Sequence, residues 1–470
     1  MLTIHVPNTY IPERSYIIRI LLHEFLGLDI NLRIEKRSDI LIKMNNDQAG
    51  RTLRIADVLF QTPTSQWLTM GSLPNQPLRI WTPPNIFGDV LLISFRIPII
   101  YGVEPKDDNL CNGYLTENGQ ELYMGLDIFG SAFFMLTRYE EYVKPDRDRY
   151  DCFPASASLS YQEGFLDRPI INEYLEILWW CLTYLWPGIK RKNRYFRMIV
   201  THDVDVPFAQ AFSGVQKLIR NCGGDLLIRK SAKNAFNRLI SWQAVKRGKY
   251  RKDVNYTFDG LMDISEKNSI RSAFYFKTAC TNTIYDDIYS IDHKYMRQLL
   301  RDIHGRGHEI GLHPSYETYK NPAQTKAEFK KLLEVCDEEG IHQNHWGGRQ
   351  HYLRWQVPIT WRNWAAAGLD YDSTLGFNEY YGFRCGICYE FPVFDLEKHN
   401  TIQLTERPLI VMEESVFEQR HIMFNYSKAF EAMNEMKKCC QRYSGDFTIL
   451  WHNSSLYNDE LWELYKSIIS

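Results

Sequence analysis

From about residue 195 onward, short apolar runs alternate with amphipathic stretches. Arg197–Val200 reads as a strand that ends in Thr201-His-Asp203-Val-Asp205. Ser272–Lys277 reads as a second strand, followed by a helix over Lys294–Ile303 that stops at Gly305. His308–His313 is a short strand. Thr325 and Glu328 form a capping box for a helix whose apolar positions Phe329, Leu332, Leu333 and Cys336 share one face, with Gly340 as its stop. A further helix spans Pro358–Ala367 and precedes the strand-like Tyr371–Leu375. Pro408–Met412, a helix over Ser427–Arg442 and Phe447–His452 complete the series. This alternation predicts a parallel α/β layout, barrel or open sheet, with its chemistry at the C-terminal ends of the strands.

The first part of the chain is less regular. A strand-like run covers Val90–Ile100, a helical pattern Ile128–Val143, and an apolar helix Tyr174–Leu185, which Pro187-Gly188 breaks. The basic stretch Lys190–Arg197 reads as a linker. We therefore expect an α+β domain over 1–194 with no catalytic constellation, and a second domain over 195–470. Ser213–Asp253 interrupts the second domain with eleven Lys or Arg against two Asp. A solvated helical insertion is the first reading of it; an anionic ligand, such as the phosphate of a nucleotide sugar or a lipid headgroup, is the second.

Composition narrows the class. The chain has 470 residues, 44% hydrophobic and 24% charged, which excludes a largely disordered or fibrous protein. A net charge of −2 gives no global basic excess, so no nucleic-acid partner is expected. The most apolar stretches, Val90–Tyr101 and Ile177–Pro187, are far shorter than the ~20 residues of a membrane helix. No basic start followed by an apolar run opens the sequence, and a cytoplasmic protein without a transmembrane segment is expected. The ten Cys are scattered, which argues against a disulfide framework. Cys385-Gly-Ile-Cys388 lacks the second pair that a zinc ribbon needs, so its thiols are read as structural.

Four stretches past strand ends carry candidate chemistry. Alternation puts Asp203 and Asp205 on one face, where two carboxylates repel unless a cation or proton lies between them. His313 ends the next motif, Gly307-His-Glu-Ile-Gly-Leu-His313-Pro, and Glu317 lies four residues on. His308 points to the opposite face by alternation. In Gly347-Gly-Arg349-Gln-His351-Tyr-Leu-Arg-Trp355, Arg349 and His351 share a face if extended, and an Arg there can pair with and orient a carboxylate. Asp372 could orient an Arg or a His. His452 follows an apolar strand and could donate a proton to a leaving group.

The order Asp-x-Asp, Gly-His-Glu-Ile-Gly-x-His-Pro, Arg with Trp six residues on, Asp, then Leu-x-His resembles the polysaccharide deacetylase family, the NodB-homology carbohydrate esterases, over about residues 195–470. The N-terminal part resembles an uncharacterised domain found ahead of such catalytic domains in bacterial cell-surface polysaccharide clusters. The resemblance implies a distorted parallel (β/α) barrel. It also implies a divalent metal, commonly zinc, bound by one Asp and two His, with an Asp base, an Arg that positions it and a late His acid. Carried over, Asp203 is the base, Asp205 and His313 are metal ligands, Arg349 and Asp372 are the third- and fourth-motif residues, and His452 is the acid. The family's second metal His falls on Glu317 here, a departure. His351, Glu317 or no third protein ligand are the alternatives.

The resemblance implies removal of an acyl group, N-acetyl first, from an amino sugar or polysaccharide precursor that could be phosphate-linked. Tyr352, Trp355 and Trp451 flank the motifs as candidate sugar-stacking residues, with hydrophobic core as the bland alternative. Competing readings are an inactive carbohydrate-binding protein, a metal-independent glycoside hydrolase, and a deformylase acting on a lipid- or nucleotide-linked sugar.

Overall fold

The computed structural model describes residues 1–88, 90–104, 113–212, 214–227, 230, 232–287, 289–418 and 425–470. Cys111 and Arg229 lie outside the described residues.

The N-terminal part builds a six-stranded sheet from β1 (Leu2–Val6), β2 (Ile30–Ile34), β3 (Asp39–Met44), β4 (Thr52–Ala56), β7 (Leu115–Asn118) and β8 (Glu121–Met124), in the order β2-β1-β3-β4-β8-β7. β5 (Arg79–Trp81) and β6 (Ile97–Ile99) form a separate antiparallel pair, so only three residues of the expected Val90–Ile100 run are strand. The helical pattern over 128–143 splits into Ile128–Leu136 and Tyr139–Val143, because Arg138 between them adopts φ 54°, left-handed backbone that ends a helix. Ile170–Leu185 is the long apolar helix, buried along most of its length.

The second sheet has nine strands: β9 (Arg197–Val204), β10 (Ala273–Phe276), β11 (Glu309–Leu312), β12 (Gly347–Gly348), β13 (Tyr371–Asp372), β14 (Phe391–Asp395), β15 (Asn400–Glu406), β16 (Val411–Met412) and β17 (Asp446–Leu450). Their order is β14-β15-β13-β12-β11-β10-β9-β17-β16, and every pair is parallel except β14 with β15. The fold is thus mixed α/β around a mainly parallel sheet. Among the described residues no ladder joins β14 to β16, so the pairing order is open. The run AFYF of β10 is buried at every position, as expected of a strand covered on both faces.

The helix expected from Thr325 starts earlier, at Pro322. Asn321 caps it by accepting from the Gln324 N–H at 3.1 Å, and Pro322 opens the first turn, where its missing N–H costs nothing. Thr325 instead donates its hydroxyl to the Asn321 and Thr318 carbonyls.

One contiguous apolar core runs through both sheets. Buried charge joins the parts as well. Glu141 pairs with Arg138 at 2.8 Å and with Arg384 at 2.6 Å, all three buried. Buried ions need this degree of mutual satisfaction, because each alone would cost several kcal/mol of lost hydration, about the size of a whole fold's margin.

Candidate metal centre and active site

The C-terminal ends of β9, β11, β12, β16 and β17 meet around a cavity of about 190 Å³. Asp203, Asp205, His313, His351, Tyr352 and His452 all line it. Asp203 is the penultimate residue of β9 and Asp205 follows its end, so the strand delivers both carboxylates to one rim.

The β11–β12 junction is unusually close. A Cβ at Gly348 would lie 1.8 Å from the Leu312 carbonyl oxygen, so only glycine allows this approach. The contact brings the Arg349 carbonyl to within 2.7 Å of His313 Nδ1. A carbonyl can only accept, so Nδ1 carries the proton and Nε2 keeps its lone pair. That Nε2 faces Asp205 Oδ1 at 3.3 Å. His351 repeats the arrangement from the next segment. Its Nδ1 donates to the Asp286 carboxylate at 2.9 Å, and its Nε2 lies 3.2 Å from the same Oδ1.

Three electron-pair donors therefore converge, with ligand atoms of Asp205, His313 and His351 all within 4.8 Å of one another. His313 Nε2 and Asp205 Oδ1 are buried and make no hydrogen bond among the described residues. Lone pairs facing each other in a buried site repel unless a cation or proton sits between them. Two imidazoles and one carboxylate, with both outer ring nitrogens hydrogen-bonded, are a donor set that suits zinc or a neighbouring first-row ion.

Burial disfavours an imidazolium at His351, but Asp205 and Asp286 outweigh it and raise its pKa, so a cation at Nε2 would take the place of a proton there. Burial disfavours the Asp205 carboxylate, but His351 and Lys277 outweigh it and hold the group well below the usual carboxylate range. The Lys277 ammonium is buried at the end of β10, 3.3 Å from Asp205 Oδ1. Burial also opposes ionisation of Asp286, yet its bond from His351 and main-chain N–H donors pull its pKa down to about 2.

Asp203 sits beside this group. Arg349 Nη1 donates to its Oδ1 at 2.9 Å and to Thr201 Oγ1 at 2.9 Å, while Nε and Nη2 donate to the Ser373 carbonyl and hydroxyl. The guanidinium is fully buried and held at four points, so Asp203 has one fixed orientation. His452 closes the opposite side, with Nε2 3.6 Å from Asp205 Oδ2. Burial disfavours its imidazolium, but Glu413 at 2.8 Å from Nδ1 outweighs it and raises the pKa well above that of an ordinary imidazole.

Other expected residues lie elsewhere. Glu317 is turned away: it accepts from Arg354 at 3.1 Å and from Asn282 at 3.2 Å, and does not join the donor group. The reason is local, since Arg354 also stacks 3.8 Å over the Tyr316 ring and anchors that turn. Trp355 and Trp451 are buried in the core, the former against Trp361, so neither ring faces the cavity. Among the described residues Asp372 makes no hydrogen bond or ion pair with a histidine. It accepts from the main chain and hydroxyl of Thr374, behind Ser373. His308 accepts from the Ser272 N–H at 3.1 Å, on the far side of β11. Cys385 and Cys388 are buried free thiols.

The sequence reading passed over four residues here. Glu413 follows β16 directly, and Lys277 closes the expected strand Ser272–Lys277, so the strand-end rule that found His313 would have found both. Asp286 lies ten residues past the end of β10, too far along its loop for that rule, and Tyr150 comes from the N-terminal part. The Tyr150 ring lies 4.9 Å from Tyr352 and 6.0 Å from Tyr285, both of which line the cavity. Tyr352 itself has φ 57°, a left-handed conformation rare for a tyrosine and typical of strained functional turns.

Residues 2–187 match the model of a family of unknown function, DUF7033. No curated protein matches the chain. Solved structures with similarity include a protein described as a polysaccharide deacetylase from Mycobacterium smegmatis, at 14% identity and TM-score 0.36 over 59% of this chain and 85% of that one. One from Pseudomonas aeruginosa PAO1, described likewise, has 13% identity and TM-score 0.36 over 66% and 90%. Puue allantoinase has 11% identity and TM-score 0.36 over 60% and 85%.

Proposed function

We propose that this chain is a metal-dependent amide hydrolase that removes an acyl group, N-acetyl in the first instance, from an amino sugar. The observation that carries the reading is the convergence of Asp205, His313 and His351 with Asp203 alongside and His452 opposite. On this reading residues 195–470 are the catalytic part, in a distorted barrel, and residues 1–194 support one wall of the cleft through Tyr150.

A divalent ion, zinc first, held by Asp205, His313 and His351 would supply Lewis acidity at the amide carbonyl and lower the pKa of a water. Asp203, aimed by Arg349, takes a proton from the water whose oxygen attacks the carbonyl carbon. The carbon–nitrogen bond then breaks, and His452, oriented by Glu413, delivers a proton to the departing amine nitrogen. Products are a free carboxylate and an amino sugar. Tyr352 and Tyr285 offer flat faces to a sugar ring at the cavity wall.

The test is acetate release from N-acetylated amino-sugar oligomers by purified protein, before and after chelation and zinc restoration. Asp203→Asn and His452→Ala should each lower turnover by about 10²–10⁴-fold. Asp203→Asn with near wild-type activity removes the base. Chelator-insensitive release of reducing sugar would point to a glycoside hydrolase instead, and stoichiometric metal without turnover on any acylated sugar would leave a binding protein.

A further inference from the structure

Ten residues beyond Asp205 the chain enters a helical hairpin, Val215–Leu227 and Ala232–Lys246, before rejoining the sheet through the helix Phe258–Lys267. Its inward face is already satisfied: Leu218, Asp225, Ala235 and Val245 are buried. A second apolar stripe faces outward. Val215, Ile219 and Leu226 follow i, i+4, i+11 spacing on the first helix, and Phe236, Leu239 and Ile240 follow i, i+3, i+4 on the second. All six are between 45% and 66% exposed. Seven of the 21 exposed large apolar side chains among the described residues fall within residues 215–240, so exposed apolar surface is concentrated on this hairpin.

The same segment is the basic one. Residues 213–253 carry nine more basic than acidic side chains, in a chain whose net charge is −2. Arg220, Lys233, Lys246 and Arg247 are exposed on the two helices or at their end. An outward apolar stripe flanked by cations matches an anionic lipid surface, where the apolar side chains enter the headgroup boundary and the cations meet phosphate. A second copy of the hairpin would bring the same excess of positive charge against itself, which opposes self-association through this face.

We propose that the hairpin is an interfacial anchor that seats the protein on an anionic membrane surface. Its base is fixed at the rim of the site. Asn453, next to His452, donates to the Val206 carbonyl at 3.1 Å on the segment leaving β9 and to the Asn255 carbonyl at 3.1 Å on the return. The inference stands on the hairpin alone and holds whatever the site catalyses.

The experiment is flotation of the full chain with vesicles of phosphatidylcholine alone or with about one-third phosphatidylglycerol, at low salt and at about 0.5 M NaCl. We expect recovery with anionic vesicles at least about tenfold above neutral ones, lost at high salt. Phe236→Ser/Leu239→Ser/Ile240→Ser should lower partitioning about tenfold or more with circular dichroism and Tm unchanged. Lys233→Gln, Lys246→Gln and Arg247→Gln should each lower it about fivefold. Equal recovery on both vesicles, no recovery on either, or binding that survives the triple serine change overturns the anchor. So does capture by polyglutamate without vesicle binding, which assigns the face to an acidic protein, and a dimer broken by the serine changes without vesicle binding, which assigns it to a second copy.

Discussion

Glu413 Oε1 accepts two hydrogen bonds from one residue, the ring Nδ1–H of His452 at 2.8 Å and its main-chain N–H at 3.0 Å. The ring and the backbone that carries it are thus held by one oxygen, and Nε2 is left facing Asp205 across the cavity. Glu413→Gln keeps an oxygen that can accept both bonds but removes the charge. We expect kcat for acyl release to fall about 10²-fold with KM little changed, since the acid acts at the leaving group and not in binding. Combined with His452→Ala, the loss should not exceed that of His452→Ala alone, because the two act as one unit. Additive losses in the double-mutant cycle would show that Glu413 serves another partner.

Asp286 and Glu317 separate the two candidate third ligands. The Asp286 carboxylate fixes the ring of His351 so that its Nε2 faces Asp205, whereas Glu317 is committed to Arg354 and Asn282. Asp286→Asn should weaken metal affinity about 10–100-fold, the usual effect of losing an outer carboxylate. His351→Ala should remove metal more completely, and Glu317→Ala should leave stoichiometry unchanged. Metal content after dialysis against graded chelator, by inductively coupled plasma mass spectrometry, reads all three. Loss of metal in Glu317→Ala would transfer the ligand role back to that residue.

How far these residues were legible depends on where they stand. Asp203, His313 and His452 stand at or just past the C-terminal ends of strands, and Arg349 follows a glycine pair, so period and punctuation alone marked them. His351 was one of three options because its role depends on Asp286, which lies more than sixty positions away. Trp355 and Trp451 could not be told from stacking residues, since a tryptophan beside a motif looks the same whether its ring faces a cleft or a core. Some of the N-terminal strands escaped for a related reason. β2 is half exposed at an edge and β5 and β6 have three residues each, too short for a period-2 signal. The outward stripe of the basic hairpin needed burial to become visible, because helical periodicity does not say which of two apolar stripes faces in.

Tyr150 tests whether the N-terminal part shapes the cleft. Its ring packs on Tyr352, and Arg354 donates to its carbonyl at 2.9 Å, so the segment is pinned to the turn that carries His351. Tyr150→Ala keeps that carbonyl and removes the ring. We expect KM for an oligomeric substrate to rise about threefold to tenfold, with kcat and metal content unchanged, as for loss of one aromatic contact of about 0.5–1.5 kcal/mol. A fall in kcat at unchanged KM would mean instead that the ring only holds Tyr352 in its left-handed turn.

Asp372 provides a pH signature independent of catalysis. Burial pushes its carboxyl up to about 7, and the neighbouring buried Glu406 is raised as well. A carboxyl raised in the folded state keeps its proton where the unfolded chain has lost it. Its contribution is therefore fully present below about pH 4 and is lost progressively as pH rises to about 7, where the folded group ionises too. Asp372→Asn preserves an oxygen for the Thr374 donors and carries no charge at any pH. The stability difference between wild type and Asp372→Asn should shift in favour of the variant by about 1–3 kcal/mol between pH 5 and pH 8. Urea unfolding at the two pH values measures it. A difference that stays constant with pH would mean that the Arg349 guanidinium, not burial, governs the charge of Asp372.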